Sequence, residues 1–290
     1  MNHVCGIIVT FNPAPGTVEN IGRISSQLEW LVVVDNGSQA NTLEPIREAS
    51  ARLGFTLLEL HRNLGIAAAL NRGVERARNL QAQWVALFDQ DSSSEPNLIE
   101  SLLDTYTKEA PSSKVAIVSA KHLRCDTQAW MRPVFAIDGG PLVAITSGSL
   151  MPLSVFTECG LFEEDFIIDR VDEEYCLRVR TLGYTIVHCD QGILWVTLGN
   201  PRPFQLFGKT LFRATHYSPG RRYYNTRNRL IIAKRYWRLY PRWCYWTVSG
   251  LAKELAIVLI AEKQRGLKIR NTILGIRDAL LNRMGMMIPL

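Results

Sequence analysis

Short apolar runs alternate with amphipathic stretches from the start of the chain to residue 91. Val4–Phe11 is almost wholly apolar and reads as a buried strand, ended by Asn12-Pro13 and the turn residues Ala14-Pro15-Gly16. In 17–28, Val18, Ile21, Ile24, Ser25 and Leu28 recur on one side at helical spacing. Trp30–Val34 is a second buried strand, closed by Asp35-Asn-Gly-Ser38, and 42–53 is again helical. Phe55, Leu57, Leu58 and Leu60 mark a third strand, ended by Asn63-Leu-Gly65. Residues 66–80 form an Ala-rich helix interrupted by Gly73, and Trp84–Phe88 is a fourth strand running into Asp89-Gln-Asp91. This βαβαβαβ alternation predicts an α/β fold, a mostly parallel sheet with helices on both faces.

Further on, the pattern predicts a helix over 97–109 and a strand over 115–120. Residues 121–141 are irregular, and Trp130, Met131, Pro133 and Phe135 there read either as part of a binding pocket or as a plain loop. A strand is predicted over 143–150 and a helix from Val171, with Asp172 and Glu173 in its first turn. Residues 231–290 read as helices. Trp243–Ala261 is mostly apolar, but Lys253 and Glu254 argue against a membrane span. Trp237, Tyr240, Trp243, Tyr245 and Trp246 interleave with Arg235, Arg238 and Arg242. That mixture suits either a membrane interface or an amphipathic helix packed on protein.

Strands of a parallel sheet end on one side, so three polar endings converge: Thr10 to Asn12, Asp35 to Ser38, and Asp89 to Asp91. Asp89 and Asp91, two apart on an extended backbone, point the same way and suit a hard divalent cation; a polar turn before a helix reads equally well. Asp35 is placed to accept from a base N–H or a ribose hydroxyl, or it serves a tight turn. Asn63 to Gly73 is a small-residue helix start that admits close approach, of a ligand or of the sheet.

Charge sharpens this. The net charge of +6 divides into −9 over residues 1–199 (15 Lys+Arg, 24 Asp+Glu) and +15 over 200–290 (18 Lys+Arg, with Glu254, Glu262 and Asp278). A strongly basic last third calls for an anionic partner. The six cysteines show no CxxC spacing and read as buried free thiols in a reducing compartment. No basic n-region or apolar signal segment opens the sequence, so a cytoplasmic protein is expected, at or near the inner face of the cytoplasmic membrane.

The order Thr-Phe-Asn after the first strand, Val-Val-Asp-Asn-Gly-Ser, Asn-Leu-Gly-Ile-Ala-Ala-Ala-Leu-Asn-Arg-Gly and Phe-Asp-Gln-Asp resembles the nucleotide-sugar-binding half of family 2 glycosyltransferases of the GT-A fold. It is especially similar to the bacterial rhamnosyltransferase branch. His216-Tyr-Ser-Pro-Gly-Arg-Arg-Tyr-Tyr-Asn-Thr-Arg-Asn resembles a second segment of that branch. The resemblance implies a GT-A domain over 1–230, with a nucleotide-sugar half (1–120) and an acceptor half (121–230), plus a basic helical extension over 231–290. It implies that Asp35 contacts the nucleobase, and that Asp89 and Asp91 form the DxD element holding Mg²⁺ or Mn²⁺ at the donor diphosphate. Thr10, Asn12, Asn63, Gly65 and Asn71 are implied to line the donor site. Matching Cys176-Leu-Arg178 puts the general base at Asp172, with Asp169 and Glu173 as alternatives. Arg222 and Arg227 are expected on phosphate, in bidentate geometry.

The sequence departs from the family at Val196, where a metal- or diphosphate-holding His is usual, and His188 and His216 are the candidate substitutes. The implied activity is inverting, metal-assisted transfer of L-rhamnose from dTDP-L-rhamnose to a sugar hydroxyl of a lipid-linked, O-antigen-like surface polysaccharide precursor. Rival readings are another nucleotide-sugar donor or a non-catalytic nucleotide- or glycan-binding protein. The C-terminal helices are expected at a membrane surface, a homo-oligomer is compatible, and no nucleic-acid motif is present.

Overall fold

The computed structural model describes residues 3–136, 139–197, 202–206 and 209–289. It contains two compact units: residues 1–163 with 172–197, and residues 164–171 with 198–290.

In the first unit the chain runs β1 (Val4–Thr10), α1 (Thr17–Ser25), β2 (Trp30–Asp35), α2 (Ala40–Leu53), β3 (Thr56–Glu59), α3 (Ile66–Asn79) and β4 (Trp84–Asp89). It continues through β5 (Ser93–Ser94), α4 (Leu98–Glu109), β6 (Val115–Arg124), β7 (Ser149–Pro152), α5 (Val155–Glu158), α6 (Val171–Thr181) and β8 (Thr185–Val196). Every residue of β1 is buried, as an unalternating apolar strand requires when both faces are covered. β1 pairs in parallel with β2 on one side and β4 on the other, and β3 lies outside β2. Register sets Thr10 beside Asp35 and Val9 beside Asp89, so the expected polar endings do share one edge. Beyond β4 the direction changes: β7 is antiparallel to β4 and β6, β8 runs parallel to β6, and β5 is antiparallel to β8. The sheet order is β3-β2-β1-β4-β7-β6-β8-β5.

Alternation along the strands assigns the two faces. Ile8, Val33 and Phe88 join Ile21 and Ile24 of α1, Ile46 of α2 and Leu102 of α4 in one core cluster. Ile7, one residue out of phase, meets α3 at Gly73. The small residues of α3 therefore serve helix-on-sheet packing: Ala67, Ala69, Asn71 and Gly73 are all buried. All six cysteines are free thiols; Cys125 is exposed and the other five are buried.

Three segments differ from the sequence expectation. Only Ser149–Pro152 of the 143–150 region is a strand, because Gly148 takes φ 77° and breaks the extension. β8 was not anticipated; His188, Asp190 and Gln191 interrupt its apolar pattern. The expected division at residue 230 falls inside a continuous helix.

That helix belongs to the second unit, which contains β9 (Arg202–Leu206), β10 (Lys209–Ala214), α7 (Pro219–Tyr236), α8 (Pro241–Ala261) and α9 (Arg265–Leu280). Ser218 caps α7, its hydroxyl accepting from the Arg221 N–H at 3.1 Å, and Pro219 follows at the first turn. α7 buries polar residues along most of its length, including Arg222, Asn225, Arg227, Asn228 and Arg229. The three acids of the basic third answer them. Glu254 accepts from Arg222 Nη1 at 2.6 Å and pairs with Arg229, Glu262 accepts from Lys268 at 2.6 Å, and Asp278 accepts from the Tyr223 hydroxyl at 2.8 Å.

A Cβ on Gly73 would lie 2.4 Å from Ile7 Cγ2. Helix propensity favours replacing glycine by at most about 1 kcal/mol, whereas overpacking costs about 1–3 kcal/mol. Gly73→Val is therefore expected to lose about 2 kcal/mol in a urea melt.

Candidate active site

The end of β2 carries a carboxylate that is almost fully buried, Asp35 at 1% exposure. Its oxygens are satisfied locally. Oδ2 accepts the backbone N–H groups of Gly37 (3.1 Å) and Ser38 (2.9 Å), and Oδ1 accepts the hydroxyls of Thr10 (3.1 Å) and Ser38. Gly37 at φ 85° makes this turn possible: a Cβ there would sit 2.4–2.7 Å from the backbone of Arg62 and Asn63. Asn36 continues the lattice, accepting from Leu64 N–H (2.9 Å) and donating to Asn63 Oδ1 (3.1 Å). Asn63 Oδ1 also takes the Gly65 N–H at 2.9 Å, where Gly65 opens α3. Of the residues expected on the donor, Thr10, Asp35, Asn63 and Gly65 thus form a clasp joining three loops. Asn71 is buried and exchanges two hydrogen bonds with the Phe162 backbone, at 2.9 and 3.0 Å. Asn12 is exposed, and its Oδ1 accepts from the Gln39 N–H (3.0 Å) at the start of α2.

Asp89 and Asp91 both lie exposed at the end of β4. Gln90 between them clasps β1, accepting from Phe11 N–H at 2.9 Å and donating to Phe11 O at 3.3 Å. Ser147, fully buried, anchors the same loop: its hydroxyl accepts the Asp89 N–H at 3.0 Å and pairs with Ser92 at 2.8 Å. Its carbonyl accepts from His122 Nε2 at 2.7 Å. A carbonyl only accepts, so Nε2 carries the proton. Burial holds the His122 pKa below the usual histidine value, leaving the ring neutral. Gly148 lets this strap pass; a Cβ there would crowd Ala120 and Leu194 at 2.9 Å. Gln90, Ser92, His122 and Ser147 were not anticipated, and the small-residue string Thr146-Ser-Gly-Ser149 was the available signal.

Asp172 opens α6. Its Oδ1 accepts the Glu173 N–H at 2.9 Å, the capping role open to any acid at a helix start. It also lines a cavity of about 200 Å³ with Glu173, His122, His188, Ser119 and Arg132. On its other side it shares a smaller cavity with Thr146 and with Leu87 of β4. Burial lowers the His188 pKa as well, opposed by Asp190. The larger cavity therefore joins carboxylates to two neutral imidazoles, a wall rich in hydrogen-bond acceptors. Asp169, an alternative base, is held bidentately by Arg221 at 2.8 and 3.1 Å.

Arg222 and Arg227, expected on phosphate, are both buried in this fold. Arg222 is 2% exposed and pairs with Glu254; Arg227 is fully buried. Arg227 donates to the carbonyls of Gly285 (2.6 Å) and Asp165 (2.7 Å). Asn228 gathers three more, those of Phe166, Ile168 and Asp169, at 2.7–3.0 Å. These contacts hold a strained segment in which Ile167, Asp169 and Arg170 take φ of 60°, 63° and 67°. That segment runs directly into Asp172. Arg227 and Asn228 thus brace the 165–169 backbone. Arg227→Ala is expected to lose on the order of 3 kcal/mol in a urea melt, by orphaning buried carbonyls and leaving a cavity, with nucleotide affinity by calorimetry unchanged.

Among the described residues no group of three His, Cys, Asp and Glu side chains is arranged to hold a metal. Two carboxylates nevertheless fit a cation that takes its other ligands from substrate phosphates and water. Asp91 reaches solvent, yet the protein around it desolvates the carboxyl and raises its pKa above the usual 3.8, partly offset by its own backbone N–H. A raised pKa means that ionised Asp91 opposes folding as pH rises through that value, and a cation would relieve this. Asp91→Asn is expected to keep or raise the Tm without metal and to abolish the Tm increase produced by Mn²⁺. In the wild type, Mn²⁺ affinity by titration calorimetry is expected to weaken on acidification, starting at a higher pH than for an ordinary aspartate.

Residues 5–136 match the family described as Glycosyl transferase family 2. A curated relative, dTDP-rhamnosyl transferase RfbF of Shigella flexneri, is 26% identical over 249 residues, covering 81% of each chain. Among solved structures, TarS residues 1–349 of S. aureus superpose with a TM-score of 0.64 at 12% identity, covering 97% of this chain and 81% of that one. The mannosyltransferase PcManGT of Pyrobaculum calidifontis, solved with GDP-Man and Mn²⁺, gives 0.61 at 16% identity, over 97% and 88%. At these identities the structural likeness carries the GT-A fold alone. With the matched domain and the RfbF relative beside it, the chain is a glycosyltransferase with a family 2 domain at residues 5–136.

Proposed function

We propose that the protein transfers an L-rhamnosyl group from dTDP-L-rhamnose to a sugar hydroxyl of a bacterial surface polysaccharide precursor, inverting the anomeric centre, with Asp172 as general base. The observation that carries the reading is the strap from the Asp89 loop through Ser147 to His122, which shares the larger cavity with Asp172. The choice of donor rests on the RfbF relative, whose name specifies dTDP-rhamnosyl transfer.

The carboxylates of Asp89 and Asp91 are the residues that would hold a divalent cation. Such a cation, when bound, offsets the charge that develops on the departing nucleoside diphosphate. Everything else falls to the chain itself. An acceptor hydroxyl entering the 200 Å³ cavity has His122 in its wall, whose Nδ1 is left as an acceptor because Nε2–H is committed to Ser147. Asp172 takes the hydroxyl proton as the oxygen attacks the anomeric carbon and the bond to the diphosphate breaks in line. The proton ends on Asp172 and the electron pair on the leaving diphosphate, so no covalent glycosyl-enzyme forms. Thr10, Asp35, Asn36 and Asn63 act on the donor indirectly, by fixing the loops that receive it.

Asp172→Asn keeps the shape and removes the base. It is expected to lower kcat about 10²–10⁴-fold while dTDP affinity stays within about twofold. Turnover of dTDP-L-rhamnose measured beside UDP- and GDP-sugars tests the donor. An unaffected kcat in the variant removes Asp172 from the mechanism, and preferential turnover of another nucleotide-sugar replaces the donor.

A further inference from the structure

α8 is built inside out. Its buried residues, Cys244, Leu251 and Val258, recur every seventh position and form one narrow stripe. Glu254 is turned toward α7, where it pairs with Arg222 and Arg229. The opposite face is exposed and mostly apolar. Tyr245, Trp246, Leu259 and Ile260 are 58%, 71%, 52% and 52% exposed, with Ala252 and Ala256 between them. Spacings of three, four and seven put these side chains on one side of the helix. Exposed cations mark the stripe: Arg238 and Arg242 at its start, Lys253 midway, Lys263 just past its end.

We propose that this face of α8 lies flat in the headgroup region of an anionic membrane. Large exposed apolar stripes on soluble chains mark interaction surfaces. Aromatics at headgroup depth with cations interleaved identify the partner as lipid carrying negative charge. The helix has 21 residues, about 31 Å, long enough to cross a bilayer. It lies along the surface instead, because crossing would bury Lys253 and strip Arg222 and Arg229, both nearly inaccessible, of the Glu254 carboxylate. α9 repeats the theme, exposing Leu267, Ile273 and Leu280 between Arg270 and Arg277. Every residue of this surface belongs to the second unit, so it stands whether or not the donor and base are as proposed.

The test is co-sedimentation of the full chain with vesicles of phosphatidylcholine, alone or mixed with phosphatidylglycerol. Partitioning is expected to be at least about tenfold stronger on the mixed vesicles and to fall with salt. Arg238→Gln with Arg242→Gln is expected to weaken it about thirtyfold. Trp246→Ser with Leu259→Ser is expected to weaken it as well, with unchanged melting curves confirming that these surface variants fold. A wild-type chain left in the supernatant by both vesicle types overturns the proposal. So does binding that ignores both lipid charge and the arginine pair, or a stripe-dependent dimer in light scattering that binds no vesicle.

Discussion

A carboxylate withdrawn from water must have its oxygens filled, and the working edge of the sheet is arranged around filling those of Asp35. Two strand ends, one glycine turn and two hydroxyls converge on it. Because Thr10 sits beside Asp35 in register, the bond between them fixes the end of β1 against the end of β2. Asn36 and Asn63 extend the constraint to the start of α3, and Gln90 extends it from β1 to the Asp89 loop. Removing water from this edge leaves each loop dependent on the next. A rigid rim is what a reaction relying on orientation needs, since misplacement by about 1 Å can cost 10²-fold in rate.

The second unit solves a different electrostatic problem. Its basic composition would make a packed helix bundle self-repelling, yet α7 puts five guanidinium and amide side chains in the interior. Arg222 and Arg229 are tolerated because Glu254 faces them; Arg227 and Asn228 because backbone carbonyls do. Three of the residues that precede α6, Ile167, Asp169 and Arg170, lie in the left-handed region, and the carbonyls of this segment accept from Arg227 and Asn228. Strain and buried charge therefore compensate one another within this unit. Structures commonly hold such strain beside functional groups, where the surroundings over-determine it.

Much of the first unit was legible because β1, β2 and β4 are apolar without interruption and end in polar residues, which identifies strands and their functional edge together. The roles of the polar residues were less legible. Asp35-Asn-Gly-Ser38 fits a ligand contact and a turn equally, and only the four donors around the carboxylate decide between them. The burial of Arg222 and Arg227 was illegible for a related reason: arginines among tyrosines suit an anion site in sequence whether or not they are buried. Burial of a charge depends on partners more than 20 residues away, such as Glu254 and Gly285, which spacing within the motif cannot reveal. Ser147 was invisible because its importance lies in bonds to Asp89, Ser92 and His122, none of them its neighbours in sequence. Gly148 hid the break in the expected 143–150 strand, since its positive φ leaves the apolar pattern intact.

The shell around Arg227 has a consequence for how the molecule is made. Gly285, which supplies one of its carbonyls, follows it by 58 residues, and Ile288, which accepts from Tyr224, follows later still. At ribosomal speed that interval is on the order of 3–12 s. Throughout it the guanidinium has water, the neighbouring Asn228 and the Asp165 carbonyl to turn to, and the 165–170 backbone has an incomplete brace. The nascent chain can thus assemble its sheet before the shell around Arg227 is complete.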